Sequence, residues 1–401
     1  MVLGGRLAVL SFLLAGLLPP PAVEAQMTGH DMMTSGGGWR FMQDGVVFLE
    51  YNDQGSDRGG QEFVAPNWWM GMASRQTGRG VVTLHGMFSL DSATVGRDGY
   101  RELFQSGEAL DGKPLVDRQH PHDLFMQLAA SWRIPIGAAT GLTIAGGPSG
   151  EPSLGPIAFM HRASAGDNPT APLSHHRLDS THVSFGVVSA AVDRGKWTIE
   201  GSVFNGREPD DNRWDFDFGT LDSFSGRVWF RPAAGWELQV SSGRLVEPEE
   251  LEPGNIIRTT ASLSWTRVTG DNVAGFTAAY GRNDADHGLE HALLVEAAAQ
   301  AGTRAFYMRL ESSEIESGVV TAITGGVVWN VLRAFGVEGG LGADATLHWT
   351  PESARAEYGA HPKSFHVFFR IRPRSSSGRM WNMRMTTPMM PMADPHAGHQ
   401  M

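Results

Sequence analysis

Histidine and methionine are the residues whose types and spacing suit them to chemistry here, and they fall into four groups. The tightest is Asp117-Arg118-Gln119-His120-Pro121-His122-Asp123, with two imidazoles flanking a proline and a carboxylate following. A second tract runs from Met160-His161-Arg162 to His175-His176-Arg177-Leu178-Asp179-Ser180-Thr181-His182. The third is terminal: Met380, Met383, Met385, Met389, Met390, Met392, His396, His399 and Met401, echoed at the other end by His30, Met32 and Met33. The fourth is Met70 and Met72 with His85 and Met87, which share one parity on two strand-like segments joined near Thr77. Such cross-strand neighbours can converge. Imidazoles suit Cu(II) or Zn(II) and thioethers suit Cu(I), so the expected chemistry is copper binding, with Asp123 orienting one of the loop histidines.

Each group also has a plainer reading. Loop His and Asp cap turns and satisfy carbonyls, and Gly150–Pro156 reads as a rigid scaffold for that role. Methionine is an ordinary gap-filler. Ser174 or Ser180 with His182 and Asp179 would supply the residue types of a hydrolytic triad, but no elbow motif positions the serine.

The composition narrows the chemistry further. Among 401 residues there is no cysteine, which removes disulfides, thiolate zinc sites, iron–sulfur clusters and thiol nucleophiles together. A net charge of −11 with a pI near 5.7 excludes the basic footprint of a nucleic-acid binder. Fifty glycines alongside 12 Trp and 20 Phe indicate a folded chain with many tight turns.

The elements that must position these residues are strands. Residues 1–25 read as a secretory signal peptide: Arg6, an apolar run from Leu7 to Leu18, and Val23-Glu24-Ala25 before a mature start at Gln26. Period-2 alternation follows. Trp197, Ile199 and Val203 oppose Thr198, Glu200 and Ser202, and Phe365, Val367, Phe369 and Ile371 oppose His366, Phe368, Arg370 and Arg372. Roughly sixteen such segments, from 42–51 to 364–373, alternate short turns with long connections, the rhythm of an all-β transmembrane antiparallel up-and-down barrel. Residues 42–373 would form that barrel, in the outer membrane of a Gram-negative bacterium with both termini periplasmic. Aromatic girdles would comprise Trp68, Trp69, Trp132, Trp197, Trp236, Trp265 and Trp349. The wet face carries Arg133, Glu200, Arg227, Glu237, Arg258, Arg309, Glu311, Arg370 and Arg372, a lining for a water-filled or loop-plugged pore, or one whose ion pairs brace the wall. Residues 26–41 form a Met/His-containing N-terminal segment. In 374–401, Pro388, Pro391 and Pro395 forbid a continuous helix and no apolar period is evident, so a flexible tail dispensable for folding is expected.

The runs Asp117–Ala129, Gly150–His161, Ala171–His182, Glu200–Asp211 and Gln239–Pro253 resemble a poorly characterised family of bacterial envelope barrels from copper and heavy-metal resistance contexts. The composition is also loosely similar to the copper-resistance protein B family, although the richest Met/His tract here is C-terminal. The resemblance implies an outer-membrane, non-enzymatic barrel that binds or passes copper, with lipid, metal ion and periplasmic copper-handling proteins as partners. A general porin or solute channel is the alternative.

Overall fold

The computed structural model describes residues 38–179, 183–286, 288–315, 317–377 and 379–386. Its main sheet has 17 segments, of which Gly60–Val64 and Asn67–Thr77 are two halves of one strand interrupted at Ala65-Pro66, so the closed antiparallel barrel has 16 strands. Proline has no N–H for the ladder, and Asn67 turns to the Asp91 carboxylate for its own backbone partner (2.7 Å). Both halves pair with the first strand, Arg40–Gly55, and that strand also pairs with the last, Lys363–Pro373, from Val47↔Ile371 to Gly55↔Lys363. This pairing removes both sheet edges.

Burial is inverted relative to a water-soluble protein. Trp197 and Ile199 are 51% and 61% exposed on the outer wall, while Thr198 and Glu200 between them are buried inside. Phe365 and Val367 likewise face out, and Ser364, His366, Arg370 and Arg372 face in. An exposed apolar band around a polar interior is the arrangement for lipid outside and a lumen inside. Trp132, Trp197 and Trp349 lie on the outer surface as expected of a girdle. Trp68 does not: it shares the parity of Met70 and Met72, so it points inward and packs edge-on against His161 at 5.3 Å.

The lumen is filled. Connection 89–124 and the described part of 151–183 fold into it; most residues of the latter are buried, as are Asp91, Leu103, Phe104 and His120 of the former. A loop buried in this way needs donors for its carbonyls, and the inward arginines supply them. Arg227 donates to the carbonyls of Leu154 and Gly155 (3.2 and 3.0 Å), Arg309 to Thr170 (3.1 Å) and Arg372 to Gly166 (2.8 Å). Several also hold wall carboxylates, as Arg227 does Glu200 (2.8 Å) and Arg372 does Glu338 (2.8 Å). The charged lining thus braces the wall and clamps the plug at once.

The expected flexible tail is overturned where the structure describes it. After Pro373 the chain turns back into the lumen from the short-turn end. Arg379 pairs with Asp44 (2.9 Å), the Asn382 N–H donates to the His161 carbonyl (2.9 Å), Arg384 lies 3.9 Å over the Trp229 ring, and the Thr386 hydroxyl donates to Glu200. Met380 and Met385 are buried in two apolar clusters. Burial on that scale stabilises by about 1.5–3 kcal/mol per side chain. No regular period was needed, because charged anchors on the wall, rather than a helix or strand, fix the segment. Met389, Met390, Met392, His396, His399 and Met401, and His30, Met32 and Met33, lie outside the described residues.

Candidate metal centre in the lumen

Connection 89–124 reaches the centre by three local devices. A short helical turn, Asp91–Thr94, is tied to the strand break through Asn67 Nδ2, which donates to Thr94 Oγ1 at 2.9 Å. A two-residue Asp111-Gly112 turn, with φ of 53° and 69°, closes a small hairpin of Glu108–Leu110 and Lys113–Leu115. Two positive φ values in succession are what Asp-Gly accommodates, and the hairpin delivers Glu108. At Gly107 (φ 110°) a Cβ would meet the His176 ring at 3.1 Å, so glycine is what lets the hairpin approach that close. From connection 151–183, one helical turn, His175–Leu178, supplies two adjacent imidazoles.

One nitrogen from each of His120, His175 and His176 lies within 4.8 Å of the others, and all three rings are buried. Their centroids are 5.9 Å (His120–His175), 5.2 Å (His120–His176) and 4.1 Å (His175–His176) apart. His120 Nδ1 lies 3.2 Å from the Pro121 carbonyl and His175 Nδ1 3.0 Å from that of Pro172. A carbonyl only accepts, so in both rings Nδ1 carries the proton and Nε2 the lone pair, the tautomer a metal needs. His120 Nε2 is 3.3 Å from Glu108 Oε1, and His176 Nδ1 is 3.2 Å from Glu208 Oε1. His176 Nδ1 can donate its own proton to Glu208, whereas His120 Nε2, a lone-pair nitrogen facing a carboxylate oxygen, requires a proton or a cation between them.

Electrostatics point the same way. Burial holds the His120 imidazole well below its usual range, with Arg213 and then the neighbouring histidines adding to the effect. Burial also lowers His176, against the opposing pull of Glu108. Glu208 and Glu249 are pushed up, first by burial and then by other carboxylates close by. Neutral imidazoles beside carboxylates that resist ionising form a site a divalent cation would relieve.

Other sequence expectations fare differently. His122 adjoins the cluster, 6.0 Å from His120, but Asp91 rather than Asp123 orients it, at 2.6 Å from Nδ1. Asp123 instead takes a hydrogen bond from Arg213 (3.3 Å), because connection 205–222 brings that guanidinium between the loops. Burial raises Asp123 to about 7 despite it. His161 is not in the cluster: its partner is Trp68, on the far side of Phe159. His182 and Ser180 lie outside the described residues, and Asp179 holds Arg162 (3.2 Å) and the Phe159 N–H (3.1 Å).

The strand methionines converge as their parity indicated. Met70 pairs directly with Met87 and Met72 with His85, all four inward and buried, with His85 Nε2 3.0 Å from Ser131 Oγ. Met70 and Met87 join Met126, Met160, His161, Met383 and Met385 around one cavity, whereas Met72, His85 and Met380 do not line it. Met126 escaped sequence reading because the ladder shifts between Met87 and Phe88, where Gln127 and Phe125 are the partners; Met126 is the extra residue of a bulge and turns inward off-parity. Glu108 and Glu208 lie in loop text without a period, and only a local Asp-Gly turn signal pointed toward the first.

No protein-family model matches the chain, and no curated protein matches it. Among solved structures, the anion-selective porin from Comamonas acidovorans aligns with 84% of this chain and 100% of its own at 10% identity and a TM-score of 0.54. OprB from Pseudomonas putida, in its high-pH structure, aligns with 84% of this chain and 94% of its own at 8% identity and a TM-score of 0.51. The chain has the fold of an outer-membrane porin-type β-barrel.

Proposed function

We propose that this chain is an outer-membrane barrel that admits a transition-metal ion, copper foremost, into a plugged lumen, with the imidazole cluster as its selective contact. The long connections then face the outside, while the short turns and both chain ends face the periplasm, where copper-handling proteins would exchange metal with it. One observation carries the reading. Two separate loops bring His120, His175 and His176 together within ligand distance, with two of the rings held in the ligating tautomer. Imidazole with carboxylate suits Cu(II) or Zn(II).

The test is equilibrium dialysis of the folded protein against Cu(II) and Zn(II), with His120→Ala and His175→Ala beside the parent. Loss of a bound equivalent in both variants is expected, with the heat-modifiable mobility of the barrel retained. Unchanged metal content would return the histidines to loop packing. The porin-type fold favours a second reading, a general solute channel, under which planar-bilayer conductance would be steady and indifferent to metal. The porin-type neighbours back this second reading better than they back metal specificity, for which the imidazole cluster is the support.

A further inference from the structure

A second group of soft ligands lies deeper in the lumen. Met70 and Met87 come from the wall, Met126 from the bulge, Met160 from connection 151–183, and Met383 and Met385 from the returning C-terminal segment. Six of the chain's 18 methionines therefore line one cavity, inside a barrel whose inner wall is otherwise rich in Arg, Glu, Ser and Thr. Here about 20 Å³ remains open, room for one water-sized occupant. His161 lines the same cavity, is 8% exposed, and its Nδ1 has no hydrogen-bond partner. Its own carbonyl holds the Asn382 N–H at 2.9 Å, so the loop and the C-terminal segment lock together at this residue. Gly150 gives Met385 its place: a Cβ there would come within 3.2 Å of the sulfur. Gln127, Glu151 and Arg384 also line the cavity, with Glu151 held by Arg227 at 3.4 Å; what sets it apart is the convergence of six thioethers on one buried imidazole nitrogen that lacks a partner. That donor set is well suited to a soft monovalent cation.

We propose that the C-terminal segment completes a thioether–imidazole site for Cu(I) in this cavity, from Met70, Met87, Met126, Met160, Met383, Met385 and His161. The proposal stands apart from the imidazole cluster, since no residue is shared and the metal class differs. The barrel would then present nitrogen ligands at its long-loop end and sulfur ligands in its interior, with the interior site existing only while the C-terminal segment is docked.

Ag(I), a redox-inert stand-in for Cu(I), is the probe, titrated into the full chain in detergent. Met126→Leu/Met160→Leu keeps volume and leaves the terminal methionines and the histidine cluster untouched. It should lose one equivalent, or bind it at least roughly 10-fold more weakly, while Cu(II) uptake at the cluster stays at the parent level. Met383→Leu/Met385→Leu, altering the opposite side of the cavity, should give the same loss and covers the case in which the first variant fails to fold. Met72→Leu, inward and buried but off the cavity, should bind as the parent does. Parent-like Ag(I) binding in both double variants, or an equal loss in Met72→Leu, would overturn the proposal.

Discussion

The imidazole cluster and the methionine cavity are neighbours across Phe159, which lies 5.9 Å from the His175 ring and packs on the cluster holding Met160, yet they are put together by different physics. In the first, every ring has an oxygen partner: Pro121 and Pro172 carbonyls, Glu208, and Asp91 for the adjacent His122. Directional bonds fix each nitrogen before any metal arrives. In the second, the sulfurs make no such bonds, and shape and docking alone set their positions. The imidazole cluster should therefore respond to single polar changes, and the methionine cavity to whatever holds the C-terminal segment in the lumen.

The largest effect should come from Arg379→Ala, which strands Asp44 in a fully buried pair. Removing one partner of such a pair costs about 3–5 kcal/mol. Urea unfolding should show that loss, trypsin should cut after Arg384, and Ag(I) binding should fall while Zn(II) binding persists. Equal loss of both metals would mean the two regions are one. Next in size, His120→Ala with His176→Ala should weaken Zn(II) and Cu(II) by roughly 10–100-fold and leave Ag(I) titration unchanged. Gly107→Ala, whose Cβ would press on the His176 ring from a positive-φ position, should weaken Zn(II) by roughly fivefold, the equivalent of about 1 kcal/mol of strain; calorimetry checks it.

The smallest effect is on pH dependence. Asp217, in the connection that delivers Arg213 and Glu208, is raised to about 6, first by burial and then by Asp210. A carboxyl raised above its usual value stabilises the fold fully below about 3.8 and ceases to do so as pH rises through about 6. The parent should therefore lose stability over that window relative to Asp217→Asn, modestly because the group is half-exposed. Parallel urea-unfolding curves for the two across pH 4–7 would refute the assignment.

How much of this was legible in the sequence follows the range of the interactions involved. Alternation placed the strands, the short/long rhythm placed the loops, and parity alone put Met70, Met72, His85 and Met87 on one inner face, because strand geometry is local. The convergence of His120 with His175 and His176 was visible as two His-rich loops at one end of the barrel. Their partners were not: Glu108 and Glu208 lie in loops without a period, and nothing local marks Glu208. Met126 was hidden by a one-residue bulge. The C-terminal segment was misread for a plain reason, since a segment with no period of its own still packs when Asp44, Glu237 and Glu200 wait on the wall to receive it.

Anomalous diffraction from crystals of the full chain grown with Cu(II) or Zn(II), and separately with Ag(I), tests the central claim of two chemically distinct lumenal sites most directly. A Cu(II) or Zn(II) peak is expected among His120, His175 and His176, and a Ag(I) peak in the cavity between Met126, Met160 and Met385. A lumen without anomalous density under either condition, or both metals at one site, would contradict it.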